Sequence, residues 1–246
     1  MGSDAPALIA CSHGTASPDG QAAVAGLVAA VAAARPDLEV HGAFVDVQQP
    51  DPAAVLDTLP GDRDARLVPL LLSAGYHVFV DLTDIAAGRS HTVVSPALGP
   101  DPRLVALLHR RLVAAGLRDG DRVVLASAGS SDGRAVSDCA ATAEALADLV
   151  GAPVIAAYLS AVEPRLANAV AAQRLQAVGD KAEPAAADGP DADRPRVIVA
   201  TYLLAPGFFA DLAAASGADV VTPPLLLPDE PPAQELVDIV VERYLS

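Results

Sequence analysis

Short runs of consecutive apolar residues, of the kind that fill a strand covered on both faces, alternate along the chain with longer Ala- and Leu-rich stretches of helical spacing. The runs at 7–12 (ALIACS), 39–45 (EVHGAFV), 66–72 (RLVPLLL) and 91–95 (HTVVS) read as strands. Residues 18–34, 51–58, a stretch following His77 and 102–116 read as helices, the last with Leu104, Leu107, Leu108 and Leu112 on one face. The plan then begins again. Strands are predicted at 122–127 (RVVLAS), 153–159, 196–203 (RVIVATYL) and 219–222, with helices at 133–149, 164–175, after Gly207 and at 232–244. Alternation of this kind predicts βαβ units and parallel sheets, an α/β protein.

The second round copies the first. LIACSHGT pairs with VLASAGSS, which sets His13 opposite Ala128. AFVDVQQPDP pairs with AYLSAVEPRL, setting Asp46 opposite Ser160 and Pro50 opposite Pro164. LVPLLLSAGYH pairs with VIVATYLLAPGFF, setting Gly75 opposite Gly207 and His77 opposite Phe209. The offsets are 115 (13 to 128), 114 (50 to 164) and 132 (75 to 207). The jump falls at QAVGDKAEPAAADGPDADRPR, so about 180–195 is expected to be an inserted flexible loop. The predicted architecture is two similar βα halves, 1–117 and 118–246, with mostly parallel sheets flanked by helices and a cleft between the halves.

The two copies differ where chemistry can reside. His13, Asp46 and His77 of the first become Ala, Ser and Phe in the second. A requirement of the fold is felt in both copies, whereas a chemical requirement need be met only once. In an open parallel sheet, ligands bind beyond the carboxyl ends of the strands. His13 follows the first strand, Asp46 ends the second and His77 follows the third. Two imidazoles and a carboxylate at one edge suit Fe²⁺, Co²⁺, Ni²⁺ or Zn²⁺, with a position open for substrate. Asp81 and Asp84 follow on the next helix. Asp81 shares a face with His77 if that helix starts early; otherwise both serve as charges near its N-terminal dipole. His41, His91 and His109 lack such a setting and read as surface or structural residues. Gly129-Ser130-Ser131-Asp132 opens a helix and reads either as an anion site or as an ordinary cap.

Bulk properties narrow the function classes. The 246 residues are 52% hydrophobic but only 3% aromatic, giving an aliphatic core. A formal net charge of −15 excludes the basic footprint that nucleic acid or an anionic membrane demands. Cys11 and Cys139 lie apart in apolar segments, as buried free thiols do, and no CxxC occurs. No apolar stretch approaches a spanning helix, and the N-terminus lacks the marks of a secretory signal, so a cytoplasmic protein is expected. Neither a Walker sequence nor GxGxxG is present, so no nucleotide is expected.

The strand-SHGT opening, the F-V-D-x-x-x-P segment from Phe44 to Pro50 and the P-L-L-L-S-x-G-x-H-x-x-x-D segment from Pro69 to Asp81 together resemble the sirohydrochlorin chelatase family. These are ATP-independent class II chelatases, and the longer members contain two such halves. The resemblance implies insertion of Fe²⁺ or Co²⁺, as substrate, into sirohydrochlorin during sirohaem or cobalamin biosynthesis. It maps metal-binding and catalytic roles onto His13 and His77. The acidic helper falls on Asp46, where the family usually has glutamate. Ser12, Gly75 and Tyr76 flank the histidines as candidate substrate contacts. Arg89 and Arg134 are candidates for meeting the carboxylates of the macrocycle. With no His-rich tract or cysteine cluster, the balance leans to iron. Imidazoles that take metal also take protons, so activity is expected to fall in acid.

Two rivals stand beside this reading. One is a metal- or tetrapyrrole-binding carrier without turnover. The other is a hydrolase using His13, disfavoured because phosphohistidine-type phosphatases place an arginine directly before the histidine, where this chain has Ser12. Since both halves occur in one chain, a monomer is expected.

Overall fold

The computed structural model describes residues 5–73, 76–179 and 195–246, with backbone alone at 76–79 and 178–179. The predicted inserted loop therefore falls almost wholly outside the described residues, as does Gly75. The first half contains β1 (Ala7–Ser12), α1 (Pro18–Ala34), β2 (Val40–Phe44), α2 (Pro52–Thr58), β3 (Ala65–Pro69), α3 (Tyr76–Ala87), β4 (Thr92–Val94) and α4 (Pro102–Ala114). The second contains β5 (Arg122–Ser127), α5 (Gly133–Val150), β6 (Val154–Tyr158), α6 (Leu166–Gly179), β7 (Val197–Tyr202), α7 (Phe208–Ala214), β8 (Val220–Val221) and α8 (Gln234–Leu245). The two sheets are wholly parallel and have the same order, β2-β1-β3-β4 and β6-β5-β7-β8. The α/β class and the paired halves match the sequence reading.

The strands carry apolar residues at every position because both faces are covered. In β1, Leu8 and Ala10 face one core while Ala7, Ile9 and Cys11 face another. In β5, Val123 and Leu125 join the first of these cores, and Val124 and Ala126 face a third. One central core thus runs between the two sheets. Helices α2 and α3 cover the outer face of the first sheet, and α6 and α7 cover that of the second. Both cysteines are buried free thiols, and burial pushes each above its ordinary pKa.

Helix starts follow local chemistry. Ser17, Asp51 and Asp101 each accept a backbone N–H of the first turn and are each followed by proline, whose missing N–H costs nothing there. Asp132 caps α5 by accepting from Arg134 N at 2.9 Å, so the Gly129–Asp132 segment is an ordinary helix start.

The helices between the sheets are exchanged between the halves. α4, from the first half of the sequence, packs on α5 and β7 of the second. α8, the last element, packs on α1 and β3 of the first. Tyr244 Oη donates to Pro6 O at 2.8 Å, and Arg243 donates to Ala97 O and Leu98 O at 2.8 and 3.1 Å. Asp101, buried at the start of α4, receives Arg103 and Arg243 together, so one carboxylate ties α4 to α8.

Candidate metal centre

The order of the first sheet places β1 between β2 and β3. The chain leaves β1 on one side and returns through β3 on the other, and at such a point the carboxyl ends of neighbouring strands open a crevice. Hydrogen bonds carry the β1–β2 pairing one step beyond the strands. Val45 N donates to Ser12 O at 2.9 Å, and Asp46 N donates to His13 O at 3.0 Å. His13 and Asp46 are therefore brought side by side at the strand ends, and both are exposed.

The turn after His13 is built to approach the β2 loop closely. Gly14 has φ +94°, and a Cβ there would collide with Asp46 O. Val47 also takes a left-handed φ, +62°, while Asp46 Oδ1 accepts from its N–H at 2.7 Å. Gln48 reaches back, its Oε1 accepting from Thr15 N at 2.9 Å. The two loops are thus fixed to each other by two backbone hydrogen bonds and one to the Gln48 side chain.

His77 reaches the same edge from β3. Leu70 N donates to Cys11 O at 2.8 Å, which continues the pairing past Pro69. Helix α3 begins at Tyr76, earlier than the sequence pattern predicts, so His77 is its second residue and Asp81 stands one turn further on. The side chains of Tyr76 and His77 lie outside the described residues. Among the described side chains, no three His, Cys, Asp or Glu residues gather as a metal site. Ser12 is buried at the end of β1, its hydroxyl without a hydrogen-bond partner among the described residues.

The two arginines separate. Arg134, exposed in the first turn of α5, is at the carboxyl edge of the second sheet, where its guanidinium is bound to Asp132 at 2.9 Å. Arg89 lies past the far end of α3, about 18 Å of helix from Tyr76. It pairs with Asp57 at 2.5 Å beside a cavity of about 340 Å³ at the amino edge of the sheet. That places it away from His13, because α3 runs antiparallel to β3. His91 shares that edge, bound to Asp64, and His41 pairs with Glu39.

The second half closes over this edge, at Gly207, which the repeat pairs with Gly75, and at Pro206 and Tyr202, which no motif marks. A Cβ on Gly20 would collide with Pro206 O, and one on Gly207 would stand 3.0 Å from Thr15 Oγ1. Tyr202 Oη, buried at the end of β7, donates to Leu72 O at 2.7 Å. Burial pushes the Tyr202 hydroxyl well above its ordinary pKa, so it remains the donor. The carboxyl edges of the two sheets therefore meet, and the segment leading to His77 is held from the other half.

Two parallel sheets of one order, joined at their carboxyl edges, define a duplicated α/β protein of chelatase-like fold. Residues 7–115, the span carrying His13, Asp46 and His77, match the family model CbiX. Across the whole chain the fold is similar to that of "SirB from Bacillus subtilis with Fe3+", with a TM-score of 0.72 and 18% identity, covering 97% of this chain and 94% of that one. It is similar also to the sirohydrochlorin chelatase SirB from Bacillus subtilis subspecies spizizenii in complex with cobalt, with a TM-score of 0.67, 16% identity and coverage of 98% and 94%. CbiX, described as the terminal enzyme for biosynthesis of siroheme in denitrifying bacteria, gives a TM-score of 0.63 and 21% identity, with coverage of 96% and 97%. No curated protein matches the sequence. The family resemblance carried by the motifs is thus supported by both the family model and the fold.

Proposed function

We propose that the chain inserts a divalent metal, Fe²⁺ or Co²⁺, into sirohydrochlorin without ATP. The observation that carries this reading is the backbone pairing of His13 with Asp46 at the β1/β2 edge, with His77 the second residue of α3, which follows the neighbouring strand β3. The matched family model covers this edge, and structural relatives are described as binding iron or cobalt and as acting on sirohydrochlorin or in siroheme biosynthesis. His13 and His77 hold the incoming ion. As the ion passes into the ring, two of the three groups, an imidazole so freed and Asp46 or the second imidazole, each take one of the two protons that leave the pyrrole nitrogens. Asp46 also offsets the charge of the ion at an exposed edge. The flat macrocycle binds at the carboxyl edges, beside His13 and Asp46. With both edges in one chain, the protein works as a monomer. The cytoplasm is its place of action, in keeping with the absence, among the described residues, of any helix long and apolar enough to cross a membrane.

The test is an anaerobic absorbance assay of sirohydrochlorin with Fe²⁺ or Co²⁺. A protein-dependent spectral change, lost in His13→Ala and in His77→Ala, is expected. Binding of the macrocycle with no insertion above the spontaneous rate overturns the enzyme reading in favour of a carrier. Turnover retained by both variants overturns the site.

A further inference from the structure

The carboxyl edge of the second sheet carries a residue that the metal chemistry leaves unused. Phe208 opens α7 with 71% of its surface exposed. The chain has four phenylalanines, four tyrosines and no tryptophan, so an exposed aromatic is a costly use of a scarce residue. Phe208 is backed by Phe209, which is less exposed, with ring centroids 5.6 Å apart and planes tilted by 58°. The pair forms a supported aromatic surface rather than a loose side chain.

Its position follows from the joint between the halves. Phe208 comes directly after Gly207, whose φ of +150° is one that other residues rarely adopt and where a Cβ would stand 3.0 Å from Thr15 Oγ1. Thr15 lies two residues beyond His13 and is held by Gln48 of the Asp46 loop. The aromatic is thus attached, through Gly207 and Thr15, to the loops that carry the candidate metal-binding side chains. Leu212, one turn along α7, and Val47, in the Asp46 loop, are also exposed apolar residues, at 38% and 57%.

We propose that Phe208 is the stacking platform for the tetrapyrrole, a specificity-determining residue supplied by the half that lacks the histidines. This rests on the chelatase reading. A metallated ring must present its centre to the histidines while its peripheral carboxylates stay in water. A neutral aromatic face holds the apolar middle of such a ring without drawing its charged rim into an acidic protein. A carrier of bare metal ions has no use for it.

The experiment compares wild type, Phe208→Ala and Phe208→Trp in two titrations, one with metal-free sirohydrochlorin followed by absorbance and one with Co²⁺ alone. Because Phe208 is exposed, the variants are expected to fold. Phe208→Ala should weaken sirohydrochlorin binding about tenfold, Phe208→Trp should keep it within about threefold of wild type, and Co²⁺ affinity should be the same in all three. Unchanged sirohydrochlorin affinity in Phe208→Ala overturns the platform while leaving the chelatase reading intact. A parallel loss of Co²⁺ affinity also overturns it, since the residue then acts on the metal loops. Failure of wild type to bind sirohydrochlorin overturns the chelatase reading itself, and the platform with it.

Discussion

The first and second halves share a backbone device and differ in what it holds. After β1 the device comprises Gly14 at φ +94°, Val47 at φ +62° and a cis Gln49–Pro50 bond. After β5 it comprises Gly129 at φ +92°, Ala161 at φ +62° and a cis Glu163–Pro164 bond. Asp46 N donates to His13 O at 3.0 Å, and Ser160 N to Ala128 O at 2.9 Å. The device is therefore structural, because it persists where no chemistry remains. In the second copy, Ser160 Oγ turns inward to donate to Ala128 O, and the edge presents no imidazole or carboxylate at these positions. The scaffold sets where a side chain stands, and in the proposed reading the identity of that side chain decides whether the edge holds a metal.

The sharpest way to break this comparison is at position 13. His13→Ala is expected to lower the insertion rate about 1,000-fold, about 4 kcal/mol in the barrier, with the melting temperature unchanged. Ala128→His should give no second active edge, because Ser160 and Phe209 stand where Asp46 and His77 do. Steady-state insertion by both variants checks this, and a gain of activity in Ala128→His would undo the assignment of chemistry to one half.

The shared device predicts a symmetric effect. Gly14→Ala and Gly129→Ala would each drive a methyl group into the carbonyl of the facing loop, Asp46 O and Ser160 O respectively. Each should cost about 3 kcal/mol of stability by denaturant unfolding. Only Gly14→Ala should also impair metal binding in the protein that remains folded.

A smaller effect separates the strand entries. Before β5, the buried Asp121 accepts from Arg196 and from Arg118 N, whereas Pro6 occupies the matching place before β1. Burial opposes the charge on Asp121, but the Arg196 guanidinium and backbone donors prevail, holding its carboxyl below the usual range. A carboxyl depressed in the folded state contributes stability that is present above its unfolded value of about 3.9 and is lost as pH falls through the folded value. Asp121→Asn should therefore cost about 2 kcal/mol at neutral pH and flatten the fall of the melting temperature below about pH 4. The smallest change is Asp46→Ser, which places the second-half residue in the first half. It should slow insertion about tenfold, or about 1.4 kcal/mol, and leave stability within about 0.5 kcal/mol.

Most of the element order was legible because fully buried parallel strands leave continuous apolar runs. Boundaries moved where local chemistry overrode pattern. The third strand ends at Pro69 rather than running to Leu72, with one further hydrogen bond, from Leu70 N to Cys11 O, beyond it. The helix read as 164–175 runs instead from Leu166 to Gly179. The candidate site was legible as a contrast between copies, which is how His13, Asp46 and His77 stood out. Arg89 was misplaced because a twelve-residue helix separates it from the carboxyl edge, a distance that residue type alone does not reveal. Phe208 left its only mark as a Phe-Phe pair in an aliphatic chain. The exchange of α4 and α8 left none, because an amphipathic face records that a helix is covered and not which sheet covers it.

That exchange carries a consequence for how such a molecule can be divided or assembled. A cut between 117 and 118 would separate each sheet from one of its own covers, leaving the first without α8 and the second without α4. The apolar faces so bared, Leu8 and Val68 on one side and Val123 and Ile198 on the other, would be wet. A polypeptide amounting to one half would be obliged to find a second copy and trade its last helix with it, as domain-swapped dimers do. Here the trade is internal, and covalent linkage makes the two lenders inseparable. One copy carries the histidines, and the helix and strand-end tyrosine of the other pack against it.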